Sequence, residues 1–298
     1  MKNSFRVHLI RFLFKPAFMR KYYFSMAYRY HSGKKLNLEN PKTWTEKLLW
    51  MNKYWQPEVK SKCADKYAVR DYVSSKGLKD ILIPLIGVWD DVKDIDFTML
   101  PDKFAIKCNH GCACNVLCTD KSNFDKQVAI KNLSSWLKRD YSDSGELHYH
   151  FIQPKIICES FLPVDHYSEL VDYKIHCFDG TPMFIGYCYD RNLETQNSKG
   201  VIYSPTWERL LYLKDDRPND GLKVPKPSTL DQMLEIARIL SKDIPYVRVD
   251  LYSIKGKVYF GELTFTPDGA ILEREYKKEI VAEYGSYITL PAKIERKW

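Results

Sequence analysis

Two stretches near the C-terminus carry the most chemistry. Val247–Tyr252 and Lys257–Phe265 read as strands joined around Gly256. Alternate strand residues share a face, so Arg248, Asp250 and Tyr252 oppose Val247, Val249 and Leu251, while Glu262 and Thr264 oppose Gly261 and Leu263. If the two polar faces coincide, a guanidinium, two carboxylates and a hydroxyl meet in one small volume. The carboxylates would repel, and a divalent cation resolves the repulsion; oxygen ligands beside an arginine suit Mg²⁺ holding phosphate better than zinc or a redox metal. The plain alternative is a surface hairpin with cross-strand charges. Parity decides between them. A two-residue turn at Lys255-Gly256 sets Asp250 opposite Gly261 and sends Glu262 to the wrong face, so a shared metal demands a three-residue loop from Ile254 or an equivalent bulge.

Other polar residues stand where a phosphate would need them. Lys107 leads into His110-Gly111-Cys112-Ala113-Cys114-Asn115, a loop of small residues whose amides can cradle phosphate while the lysine neutralises it. Asp172, Lys174 and His176 share one strand face, and Asp190-Arg191 follows at a strand end. Cys108, Cys112, Cys114 and Cys118 form a C-x3-C-x-C-x3-C array, but zinc knuckles use other spacings, and buried free thiols are the better reading.

Several elements must position these residues. Thr43 and Glu46 are spaced as a capping box before a helix through Trp44 and Met51. Further helices are expected over Asp65–Ser75 and Asn123–Arg139, the latter packing Phe124, Val128, Leu133, Trp136 and Leu137, and another capped by Ser228. Strands are expected at Lys103–Cys108, Lys155–Leu162, Val171–Phe178 and Met183–Tyr189, the last two joined by the turn Asp179-Gly180. The stretch from Asn192 to Pro227 reads as loop. With few βαβ alternations the class is α+β rather than doubly wound.

The chain has 298 residues, 45% hydrophobic and 14% aromatic, which excludes a disordered or multi-span membrane protein. Its net charge of +8 is concentrated, because residues 1–35 hold nine Lys/Arg and no Asp/Glu, leaving about −1 for the rest. A nucleic-acid partner is therefore not expected. The eight cysteines come with no export signal, in keeping with a reducing cytoplasm. Arg6, Arg11, Lys15 and Arg20 prevent the N-terminus from spanning a bilayer, whereas Phe5, Leu9, Ile10, Phe12, Leu13, Phe14 and Phe18 with the cations suit a peripheral anionic membrane surface. A basic helix packed on its own domain is the competing reading.

Asn40–Lys47, Asp65–Arg70, Leu82–Trp89, Lys107–Gly111, Asp172–Lys174, Arg248–Leu251 and Phe260–Pro267 occur in the order found in the TupA-like branch of the ATP-grasp superfamily, named for teichuronopeptide biosynthesis, and the chain from about residue 36 resembles that branch. The resemblance implies an ATP-grasp fold, with residues 1–40 a basic N-terminal segment and 41–298 an ATP-grasp domain. Its two α/β subdomains, of mixed or antiparallel sheets, would cover about 60–160 and about 161–298 and clasp ATP between them. It further implies Lys107 on the α- or β-phosphate, a flap with His110, Gly111 and Asn115, and a hinge Glu159-Ser160-Phe161-Leu162 for adenine and ribose. Lys174 would sit near the γ-phosphate and Arg248 on the acyl phosphate. Asp250, Glu262 and Thr264 would hold Mg²⁺, and Asp190, Arg191 and Thr266 would contact the acceptor. Thr264 stands where many relatives have asparagine, Cys112-Ala113-Cys114 replaces a Ser/Gly-rich flap, and Pro267–Ala270 is less glycine-rich than usual. The implied activity is ADP-forming amide ligation of an amino acid to a uronic-acid carboxyl in a surface glycan. Two alternatives remain: a glycosyltransferase using Asp94-Ile95-Asp96, and a silent carbohydrate- or nucleotide-binding module.

Overall fold

The computed structural model describes residues 17–164, 170–190, 198–215 and 222–296. The segment before Ala17, and Arg191, lie outside them. Helix α1 (Ala17–Ser32) leads into α2 (Trp44–Tyr54), α3 (Glu58–Ala64) and α4 (Val69–Ser75). Strands β1 (Leu85–Trp89), β2 (Phe104–Cys108), β3 (Asn115–Cys118) and β4 (Ile156–Ser160) form a sheet of order β1-β4-β2-β3, backed by α5 (Lys126–Leu137). Strands β5 (Asp172–Phe178), β6 (Thr181–Tyr189), β7 (Lys199–Tyr203), β8 (Arg209–Leu210), β9 (Tyr246–Ile254) and β10 (Lys257–Thr264) form a second sheet, β10-β9-β5-β6-β7-β8. Helix α6 (Leu230–Ser241) covers one of its faces, and α7 (Lys278–Tyr284) follows. All neighbouring strands in both sheets run antiparallel.

Burial separates the two faces of the second sheet. Val247, Val249 and Leu251 are fully buried with Ile175 and the apolar side of α6, Leu230, Met233, Leu234, Ala237 and Leu240. On the other face, Trp44 from α2 sits among the rings of His176, Phe178, Phe184, Tyr246 and Tyr276, with centroids 5.5, 5.2, 5.8, 5.5 and 5.3 Å away. This aromatic cluster seals one end of the face that carries Lys174, Arg248 and Asp250. The capping box forms as expected: the Glu46 amide donates to Thr43 Oγ1 at 3.2 Å and the Thr43 amide to Glu46 Oε2 at 3.1 Å.

Several local expectations change. The helix expected from Asp65 starts only at Val69, because Asp65 Oδ1 accepts the amides of Tyr67 at 2.7 Å and Ala68 at 3.2 Å and holds a turn there. Helix α5 is shorter than Asn123–Arg139, and Val128, expected in its packed face, is 50% exposed. Helix α6 is capped at Thr229 rather than Ser228 and without a side-chain bond to its first turn; Thr229 Oγ1 meets Ser253 Oγ at 2.7 Å instead. The stretch read as loop contains β7 and β8, whose short length and polar edges hid the alternation.

Candidate functional site: a two-cavity cleft on one hairpin

The β9–β10 hairpin solves its parity problem in an instructive way. Ile254 pairs with Lys257, so the turn has two residues, Lys255 and Gly256, both with left-handed φ (51° and 77°). Of the two expected solutions, a three-residue loop or an equivalent bulge, the structure takes the bulge. The register shifts at Gly261: Phe260 pairs with Leu251, but Glu262 pairs with Asp250. One extra residue on β10 turns Glu262 to the face of Asp250. Glycine is required there, since a Cβ would come within 2.9 Å of the Asp250 carbonyl oxygen.

The polar faces therefore coincide. Arg248 forks onto Asp250, Nε to Oδ1 and Nη2 to Oδ2, both at 2.7 Å, and Lys174 Nζ reaches Asp250 Oδ2 at 2.8 Å and Asp172 Oδ2 at 3.4 Å. Thr264 Oγ1 donates to Glu262 Oε1 at 2.8 Å and accepts from Arg248 Nη2 at 3.2 Å. Lys66, from the turn before α4, stands 3.7 Å from Glu262 and donates to the Gly111 carbonyl at 2.7 Å, tying the loop after β2 to this hairpin. Burial alone would raise the Glu262 carboxyl, but Lys66, Arg248 and Lys174 outweigh it and hold the group at about 2. Burial likewise opposes the charge on Arg248, and Asp250 overcomes it, so the guanidinium stays ionised. Among the described residues no set of three His, Cys, Asp or Glu side chains already encloses a metal position. Two carboxylates and a hydroxyl on one face fit Mg²⁺ nonetheless, since that ion takes one or two carboxylates and leaves its other positions to phosphate and water.

On the first sheet, Lys107 Nζ meets Glu159 Oε2 at 2.6 Å and Arg70 Nη1 meets Glu159 Oε1 at 2.9 Å. Lys107, Asn115 and Glu159-Ser160-Phe161-Leu162 line a cavity of about 130 Å³ closed by Tyr252 and Gly261 of the second sheet. Glu159 is thereby committed to two cations as well as facing the cavity. His110 is not part of it: the ring is 2% exposed, its Nε2 lies 3.1 Å from the Arg139 carbonyl, and it packs edge-on against Tyr141. Gly111 is glycine because a Cβ would strike the Tyr141 ring at 2.5 Å.

A second cavity of about 710 Å³ opens beside Lys174 and Arg248, toward β6 and β7, with Arg209, Lys214, Asp268, Arg274 and Glu275 on its walls. Of the residues expected at an acceptor, Asp190 is paired with Lys199 at 2.7 Å and Thr266 donates to Glu146 at 2.7 Å, and neither lines this cavity. Arg209, Lys214, Arg274 and Glu275 escaped sequence reading because no strand periodicity or motif marks them. Arg70 and Lys66 lie inside a phrase that carries the family resemblance, yet only the contacts reveal their partners.

The cysteine array does not gather. Cys108, Cys114 and Cys118 are buried, Cys114 Sγ contacts the Tyr141 hydroxyl, and Cys112 is exposed. Asp96 of the alternative D-x-D pair accepts the Thr98 amide at 2.9 Å and hydroxyl at 2.6 Å, which commits it to capping a turn.

Two antiparallel sheets that meet over a small cavity, with a basic and acidic cluster on the second, are the ATP-grasp architecture. Residues 46–289 match the TupA-like ATP-grasp family, and the chain belongs to it. No protein of curated function matches the chain. Among solved structures it is similar to D-alanine–D-alanine ligase from Helicobacter pylori, at 16% identity and TM-score 0.45 over 84% of this chain and 70% of that one. It is also similar to D-alanine–D-alanine ligase from Bacillus anthracis, at 15% identity and TM-score 0.41 over 75% and 62%. A third is phosphoribosylamine–glycine ligase from Thermotoga maritima, at 13% identity and TM-score 0.45 over 80% and 58%. The chain thus spans about three fifths of the length of the Bacillus anthracis and Thermotoga maritima enzymes.

Proposed function

We propose that the protein is an ATP-dependent carboxylate–amine ligase that releases ADP and phosphate and joins an amino acid to a uronic-acid carboxyl of a bacterial surface glycan. One observation carries this reading: a single hairpin borders both cavities, the smaller at Tyr252 and Gly261 and the larger at Arg248. With the adenine end of a nucleotide in the smaller cavity, against Glu159–Leu162, and Lys107 toward its phosphates, the chain of phosphates leaves that cavity and directs its terminal phosphate at Lys174 and Arg248. The larger cavity then receives the acid. Its size falls in the range of about 300–1,000 Å³ that encloses drug-sized ligands, which suits a sugar ring better than a free amino acid alone.

Charge explains what the residues do. The acid's carboxylate and the γ-phosphate are both anionic, and Lys107, Lys174 and Arg248 offset the repulsion as the oxygen attacks phosphorus and the bond to ADP breaks. The resulting acyl phosphate keeps Arg248 beside it, where a fixed guanidinium stabilises the oxyanion formed when the amine adds. Phosphate then leaves, taking up the proton that the amine nitrogen gives up, and the amide remains. Asp250 and Glu262, with Thr264, would hold Mg²⁺, which when bound polarises the phosphoryl oxygens. No side-chain nucleophile is needed.

Incubation with ATP, Mg²⁺, amino acids and a uronate glycan tests the proposal. ADP release coupled to amide formation is expected, and Glu262→Gln should lower turnover roughly 10²-fold or more at nearly constant shape. Transfer of sugar from a nucleotide sugar alone would make the protein a glycosyltransferase, and binding without turnover would make it a silent module.

A further inference from the structure

Helix α1 shows an unusual outer face. Tyr22, Met26 and Tyr30 are 60%, 63% and 84% exposed, and their spacing of four residues places them in one stripe with exposed Arg29 beside them. The opposite side holds the helix to the body: Tyr28 is 1% exposed, and Phe24 and Ala27 pack against the main core. The helix is therefore apolar inside and apolar outside, whereas an ordinary surface helix turns a polar side to water.

Exposed cations flank that stripe, with the exposed carboxylates Glu39, Glu275 and Glu279 following them in the chain. Arg29, Lys34 and Lys35 are exposed, and residues 1–35 contain no Asp or Glu. At the C-terminal end of α1, Lys278 Nζ lies 3.8 Å from where a Cβ on Gly33 would stand. His31 is held below its ordinary pKa first by burial and then by Arg274 and Lys214, which sets those two cations beside the same end. The nearby carboxylates Glu46 and Glu273 lie on the buried side of the helix, around Tyr28, and are bonded to Thr43 and Thr45.

We propose that this face docks on an anionic lipid bilayer, with Tyr22, Met26 and Tyr30 entering the headgroup boundary and Arg29, Lys34 and Lys35 meeting lipid phosphates. Neither contribution suffices alone: three side chains are too small an anchor, and a few cations bind only while lipid charge faces them, but together they match the composition of interfacial helices. A second copy of the chain is a poorer occupant, because a two-fold contact would press these cations against their own copies. The docking itself stands apart from the ligase reading.

Co-sedimentation with vesicles decides the matter without measuring catalysis. The full chain should pellet with vesicles containing about one third phosphatidylglycerol and not with phosphatidylcholine alone, and raising salt from about 0.1 to 0.5 M should weaken binding at least about tenfold. Combined Tyr22→Ser, Met26→Ser and Tyr30→Ser, and separately Arg29→Glu, Lys34→Glu and Lys35→Glu, should each weaken it about tenfold or more with an unchanged circular-dichroism spectrum. Equal pelleting with neutral vesicles, no pelleting with anionic ones, or binding unchanged in both variants overturns the proposal. So does a concentration-dependent dimer in ultracentrifugation that the serine variant abolishes, since the face would then belong to a second copy. Loss of ligase activity with vesicle binding intact would instead count against the proposed chemistry alone.

Discussion

Glu262 is the side chain on which the charges of the second sheet converge, and its proton is a direct report on them. Burial disfavours its anion, yet Lys66, Arg248 and Lys174 hold its carboxyl at about 2 against an ordinary 4.5. A carboxyl with a lowered folded-state pKa adds stability that is complete above its unfolded value and is lost as pH falls through the folded one. The window is thus about 4.5 down to 2, and the effect is modest because the side chain is 38% exposed and partly screened by solvent. The melting temperature of the wild type should accordingly fall more steeply across that window than that of Glu262→Gln. Parallel curves would mean that the three cations do not act on this carboxylate. Lys66→Met should flatten the wild-type curve in the same direction, since Lys66 is the first of those cations, and should raise the KM for ATP by loosening the Gly111 carbonyl.

At the scale of the element, two glycines in one hairpin have different duties. Gly256 supplies a left-handed φ at a turn with open space around it, and an alanine there meets no atom within 4 Å. Gly256→Ala should cost about 1 kcal/mol of stability through backbone strain and leave activity intact. Gly261 has no such φ but sits at the bulge, where a Cβ would crowd the Asp250 carbonyl. Gly261→Ala should cost about 1–3 kcal/mol and reduce turnover well beyond what unfolding explains, because opening the bulge separates Asp250 from Glu262. Denaturant titration with ADP release measured on both variants distinguishes the roles, and full activity in Gly261→Ala would remove the bulge from the argument. The strands and the polar face of this hairpin were legible from alternation alone. The bulge was legible only as a parity requirement, since a three-residue loop satisfies the same parity.

Across the whole molecule, Trp44 joins the N-terminal helices to the second sheet. Its indole is fully buried among six rings, those of His176, Phe178, Phe184, Tyr246, Tyr276 and Tyr284, yet its Nε1 is without a hydrogen-bond partner. Trp44→Ala should destabilise by about 3–5 kcal/mol through the cavity it leaves, and Trp44→Phe should cost less, because it also removes a buried unsatisfied donor. Thermal melts of the two variants check the order, and an equal loss in both would show that the donor is satisfied in solution. The capping box that starts this helix was readable in Thr43 and Glu46, whereas the aromatic partners of Trp44, spread from His176 to Tyr284, were not.

Sequence by itself determined the local conformations and the chemistry available: alternation in β9 and β10, the turn at Asp179-Gly180, and the ordered phrases that mark the family. These depend on neighbours within a few residues, where backbone sterics and side-chain period act directly. Tertiary structure alone decided that Gly261 bulges, that Glu159 answers both Lys107 and Arg70, that His110 turns to the Arg139 carbonyl, and that Lys214 and Arg274 wall the larger cavity. Each of those outcomes joins groups from separate elements, and which groups meet is set by how two sheets and seven described helices pack, a choice that no periodicity along the chain records.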